Sequence, residues 1–263
     1  MNEHSFAVLA YRDSPHLQAC LFSLVKQSSS SSIYIATSTP SIYLEQMARR
    51  FGVPLFVTQK GQGIAHDWNF ALAQAKTKYV TIAHQDDVYL PDFAESCLQS
   101  LRKKPDAMIC FSDYTEILDD DDERETNLLL MVKRTILFFF MPLRKHISSI
   151  FWKKAFLSLG CPIAAPSVTY NMENLPDFQF SASFSINLDW DAWYRLACQK
   201  GSFVFVNKIL LQHRIHEESA TTLGLKATKR QVEDITMFRR FWPKFVVYLL
   251  AKIYAISYKS NQI

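Results

Sequence analysis

The sequence predicts an α/β fold with a mostly parallel sheet flanked by helices, and two observations carry that prediction. Four short apolar or β-branched runs each give way to a stretch of helical periodicity, the alternation that builds parallel sheets. Polar clusters also sit where these runs end: Tyr11-Arg12-Asp13, Thr37-Ser38-Thr39 and His84-Gln85-Asp86-Asp87. Open α/β sheets bind ligands at the carboxyl ends of their strands.

Phe6 to Ala10 reads as the first strand, and the helix after it places Leu17, Cys20, Leu21 and Leu24 on one face. Ile33 to Ala36 is the second strand, followed by a helix over 41–51 that Gly52 ends. Val53 to Val57 is a short third strand. Gly61 and Gly63 make a loop before the helix His66 to Ala75. Tyr79 to Ala83 is the fourth strand, buried by its composition, and Pro91 signals a new helix over 92–103.

Beyond that helix the alternation loosens. Ala107 to Asp113 is a strand, the acidic run 119–123 a solvated loop, and Leu128 to Met141 an apolar segment holding Lys133 and Arg134. A loop from Cys161 enters a strand near Tyr170, Leu188 opens a helix that ends at Gly201, and Phe203 to Val206 precedes Ile209 to His216. From Thr236 onward Phe238, Phe241, Trp242, Phe245, Val246, Leu249 and Leu250 recur at helical spacing among basic residues, with Pro243 dividing two helices. This predicts residues 1–224 as one domain, with halves of about 1–105 and 106–224, and 225–263 as an amphipathic helical tail.

Composition narrows the function classes. Of 263 residues 49% are hydrophobic and 21% charged, and a net charge of +4 is too mild to point to nucleic acid. Five cysteines without CxxC spacing argue against a zinc site or a disulfide framework and for a reducing compartment. No apolar run reaches the ~18 residues that span a bilayer. The opening residues lack a signal core, so a cytoplasmic protein is expected. A basic tail rich in Trp and Phe suits a membrane interface, although it also suits the protein's own surface or a second subunit.

The adjacent carboxylates Asp86 and Asp87, with His84 beside them, suit a divalent cation such as Mg²⁺ or Mn²⁺ at a strand end. A polar strand exit in which an Asp caps the next helix has the same pattern. Asp189 and Asp191 at the start of a helix read either as N-terminal carboxylates complementing the dipole or as a general base.

Taken together and in order, four pieces resemble family 2 glycosyltransferases of the GT-A fold, inverting enzymes that build bacterial surface polysaccharides. They are Ala10-Tyr11-Arg12, Gly63 through Asn69, His84-Gln85-Asp86-Asp87 with Pro91, and Asp189-Trp190-Asp191 followed by Arg214-Ile215-His216. The resemblance covers about residues 5 to 222. It implies a nucleoside diphosphate sugar as donor, UDP- or dTDP-linked, and Mn²⁺ or Mg²⁺ as cofactor with Asp86 and His216 as ligands. It places Ala10, Tyr11, Arg12, Thr37, Gly63, Asn69, His84, Gln85 and Arg214 around the donor. Asp87 either binds the donor sugar or caps the helix. Asp189 matches the catalytic base, ahead of Asp191. It further implies a glycan acceptor, lipid-linked, met at the inner face of the membrane, and leaves a homo-oligomer open.

The chain departs from the family pattern at three points: His84 stands where the first Asp of Asp-x-Asp is usual, Ala36-Thr37 where an acidic pair is usual, and Trp68 where an Arg is usual. A sugar nucleotidyltransferase is disfavoured because YRDSP contains no glycine-rich phosphate loop. A scaffold for a partner transferase is the rival outside enzymes, and retention of Asp86 and Asp189 speaks against it.

Overall fold

Strands β1 (His4–Ala10), β2 (Ser32–Thr37), β3 (Leu55–Val57) and β4 (Tyr79–His84) lie side by side in the order β3-β2-β1-β4, all parallel. The computed structural model describes residues 2–59, 61–118, 122–124, 128–141, 145–215 and 228–257. Helices α1 (Leu17–Val25), α2 (Ile42–Phe51) and α3 (Ile64–Ala73) make the crossovers, as the alternation predicts. Ser41 caps α2 by accepting from the Leu44 amide, and Gly52 ends it at φ 64°, a conformation that favours glycine.

Because successive strand residues point to opposite faces, each strand feeds two cores. Phe6, Val8 and Ala10 pack with Leu17 and Leu21 of α1 and with Phe93 and Leu98 of α4 (Phe93–Arg102), which follows the short β5 (Val88–Tyr89). Ala7 and Ile82 face the other side, with Ala71 and Leu72 of α3 and the large rings Trp190 and Trp193.

The second half departs from the expected parallel sheet. β6 (Ala107–Ile117) is followed by β7 (Glu123–Arg124), α5 (Leu128–Phe140), β8 (His146–Ile147), α6 (Ile150–Leu157), β9 (Val168–Asn171), α7 (Leu188–Ala197) and β10 (Ser202–Arg214). β9 inserts between β4 and β6 and runs antiparallel to both, while β10 runs parallel to β6. The sheet is therefore mixed rather than mostly parallel. A four-residue strand entered from a short 3-10 turn, Ala165–Ser167, has no crossover helix to impose a direction. The two runs after Phe203 are one strand, irregular between Val206 and Ile209 and again before Leu211.

The last segments also differ from an appended tail. α8 (Thr228–Phe238) and α9 (Lys244–Ser257) bury Met237, Phe238 and Val247 in the same core as Trp190, and Trp242 donates its indole N–H to the Ser158 carbonyl at 2.8 Å. Part of their apolar surface thus meets protein, while Phe245, Tyr248 and Leu249 stay exposed. α5 ties the two cores together, with Leu130 in one and Leu137 in the other.

Candidate active site

The turn after β4 carries both carboxylates, and the structure gives them different surroundings. Asp87 is 1% exposed, and its Oδ1 accepts from His213 Nδ1 at 2.8 Å and from the Arg214 amide at 2.9 Å. It pins the end of β10 to the end of β4. Asp86 is only partly buried, with Oδ1 accepting from the Ser14 hydroxyl at 2.9 Å. His84 lies against the Trp68 ring, with centroids 5.2 Å apart, and Trp68 in turn meets Phe180 edge-on. Trp68 thus links His84 and Phe180 in one aromatic contact beside the turn.

Around this turn the sequence candidates divide. Tyr11 is 51% exposed, with the Arg12 guanidinium 5.2 Å from its ring centroid. Gln85 holds that turn by a reciprocal pair, accepting from the Tyr11 amide and donating to its carbonyl. Arg12 adopts φ 58°, and its amide donates to Thr39 Oγ1. Ala10 and Thr37 are buried, and the Thr37 hydroxyl accepts from the Thr39 amide within its own turn. Gly63 starts α3 at φ 88°, and Asn69 clamps Phe180 through both main-chain groups. Arg214 is 4% exposed and directs its guanidinium to the Asp86 and Leu118 carbonyls rather than outward. His216 lies outside the described residues.

Asp189 occupies the first turn of α7 and is partly exposed. Its Oδ1 accepts from the Trp190 amide at 2.7 Å, and Oδ2 lies 3.8 Å from Cys161 Sγ. Burial raises its pKa above the ordinary carboxylate value, against the opposing pull of the Trp190 amide, Lys133 and Arg230. Asp191 differs. It is 2% exposed and paired with Arg195 Nε at 2.9 Å and Arg240 Nη1 at 2.7 Å, which ties α7 to the end of α8.

Sequence reading missed the groups that hold these residues in place. Glu233 of α8 accepts from the amides of Ser185, Ile186 and Asn187, and Asp234 accepts from the Asn187 side chain. A carboxylate therefore closes the loop leading into α7 from a distant helix. Lys133 on α5 donates to Tyr114 Oη at 2.7 Å, and its charge bears on both Asp189 and His213. Ser14, His213 and Lys133 have no local signal, since each matters only through a partner far along the chain.

Residues 5–161 match the family model for glycosyl transferase family 2. The chain belongs to that family. No curated protein is similar enough to count as a relative. Among solved structures, TarS 1–349 of S. aureus in complex with UDP-GlcNAc aligns at a TM-score of 0.58 and 13% identity, over 95% of this chain and 70% of that one. The mannosyltransferase PcManGT of Pyrobaculum calidifontis, with GDP-Man and Mn²⁺, aligns at 0.62 and 12% over 90% and 63%. Glucosyl-3-phosphoglycerate synthase of Mycobacterium tuberculosis, with phosphoglyceric acid, aligns at 0.58 and 17% over 90% and 79%. At these identities the likeness is one of fold, a GT-A α/β domain with a mixed sheet. Against the longer TarS structure, the chain spans 42% of that protein's length.

For this family member the His213–Asp87 pair has a pH signature. Burial opposes charge on His213, but the Asp87 carboxylate outweighs it and the pKa ends above the ordinary imidazole value. Protonation then favours the folded state. The contribution is complete below the unfolded value of about 6.5 and is lost as pH rises through the folded one. Urea unfolding at stepped pH is expected to show the wild type losing more stability on alkalinisation than His213→Gln, and parallel curves would count against the pair.

Proposed function

We propose that this family 2 member is an inverting glycosyltransferase that moves a sugar from a UDP- or dTDP-linked donor to a hydroxyl of a growing, lipid-linked bacterial surface glycan. The observation that carries the reading is Asp189, a partly exposed carboxylate with a raised pKa at the start of α7. Its neighbour Asp191 is already committed to Arg195 and Arg240, which leaves Asp189 as the base.

In this reaction Asp189 takes the proton of the acceptor hydroxyl as that oxygen bonds to the anomeric carbon. The bond from that carbon to the diphosphate breaks on the opposite face, and the nucleoside diphosphate leaves with the electron pair. Tyr11 offers an exposed ring for the nucleobase. Lys133 contributes positive charge that bears on Asp189, in partly buried surroundings where fields are weakly screened.

Among the described residues no three His, Cys, Asp or Glu side chains converge on one point. Asp86 nevertheless fits a hard divalent cation, since Mg²⁺ and Mn²⁺ sites commonly use one or two carboxylates and complete their shell with phosphate oxygens and water. Such an ion would neutralise charge on the leaving diphosphate. We place the enzyme in the cytoplasm, at the inner face of the membrane where a lipid-linked acceptor would be met.

Calorimetric binding of UDP, dTDP and GDP, each with and without Mn²⁺, tests the donor side. One nucleotide is expected to bind with metal dependence and to lose affinity at least tenfold in Asp86→Ala. If folded wild type bound none of them, the chain would instead be a scaffold for another transferase.

A further inference from the structure

We infer that α5, α6 and the outer edge of α9 form one docking surface for an anionic lipid bilayer. This rests on the proposed lipid-linked acceptor only for its purpose; the surface itself is read from exposure and charge. More than half of the large apolar side chains exposed among the described residues lie on residues 126–172 and 235–263. Phe138 and Phe139 are 73% and 72% exposed, Phe151 69%, and Phe245 78%. Buried rings explain a core; exposed ones at this density call for a partner.

The helices that carry these side chains pack on one another. Phe140 of α5 meets Trp152 of α6 at 6.3 Å and Phe156 at 5.9 Å. The end of α6 accepts the Trp242 indole, and the Tyr254 ring of α9 packs on Gly160 just beyond it. The inward side of α5 carries Lys133, which bonds Tyr114 and whose charge bears on Asp189, so its outward rings stand on the half of the chain that holds Asp189.

Charge selects the occupant. Residues 126–172 and 235–263 contain no Asp or Glu, but eleven Lys and Arg between them. Lys145, Lys244 and Lys252 are exposed among them. Lys133, Arg134, Lys153 and Arg240 are taken up within the protein, by Tyr114, Asp113, main-chain carbonyls and Asp191. Exposed aromatic and aliphatic side chains beside the exposed Lys145, Lys244 and Lys252 nevertheless match the headgroup region of an anionic leaflet. A second copy fits poorly, because a two-fold interface would set this basic surface against itself. The expected occupant is therefore lipid, entered to the depth of a ring rather than spanned: no helix among the described residues is long and apolar enough to cross a membrane.

Co-sedimentation of the full chain with sucrose-loaded vesicles tests this. Vesicles of phosphatidylglycerol and phosphatidylcholine are expected to pellet the wild type, and pure phosphatidylcholine at least tenfold less. Phe138→Ser/Phe139→Ser/Phe151→Ser is expected to lose that binding tenfold or more, with circular dichroism and nucleotide binding unchanged. Lys244→Glu/Lys252→Glu provides a second variant that leaves the rings in place and is expected to weaken only the anionic preference. Undiminished pelleting of the triple serine variant, indifference to lipid charge, or a wild-type dimer that the serine variant dissolves would each overturn the inference. Vesicle binding by a chain that binds no nucleotide would instead leave it standing and remove the transferase reading.

Discussion

Asp189→Asn is expected to lower kcat about a hundred- to ten-thousand-fold, the usual span for a lost general base. Asparagine keeps the shape and can still accept from the Trp190 amide, so α7 keeps its first turn. It cannot take a proton. Donor affinity should stay within about twofold, because Asp86, Tyr11 and the β4 turn do not depend on the Asp189 charge. Asp191→Asn makes the contrast: that carboxylate faces Arg195 and Arg240, so the cost should fall on stability. The pairing of initial rates with nucleotide calorimetry on the same preparation is decisive. If kcat were unchanged while folding and donor binding were intact, Asp189 would not be the base.

The second large effect belongs to Asp87. Asp87→Ala is expected to cost about 3–5 kcal/mol of folding stability, as for other buried charged partners removed singly. The side chain is 1% exposed, and its loss leaves His213 Nδ1 and the Arg214 amide facing a void. A domain of ordinary stability, about 5–15 kcal/mol, would be left marginal. Asp86→Ala should barely move the urea midpoint, because water can reach that carboxylate's place. Adjacent residues of one type thus separate into a partly exposed group and a structural clamp. Equal losses of stability in the two variants would refute the division.

How much of this was legible depends on the range of the interaction. β1, β2 and β4 were legible because strands buried on both faces read as near-continuous apolar runs, and α2 is bounded by its cap Ser41 and by Gly52. The carboxylates at the end of β4 were legible from type and position. The direction of β9 was not, since four residues read alike either way. Nor was the clamp role of Asp87, whose partners lie 126 and 127 residues away. The C-terminal pattern of apolar and basic residues was read correctly as helical, but periodicity does not say what the apolar face meets. Here Phe238 and Val247 meet Trp190 and its neighbours.

The three amides that Glu233 collects at the entrance to α7 have a consequence for how the enzyme comes into being. When synthesis has passed Ala197, every residue proposed for chemistry on α7 already exists, yet the loop that aims them has no acceptor for its amides. That acceptor arrives only with the helix that follows β10. A nascent or prematurely ended chain would therefore hold a nearly full sheet with an unaimed base, and catalytic competence would be among the last properties the growing polypeptide acquires.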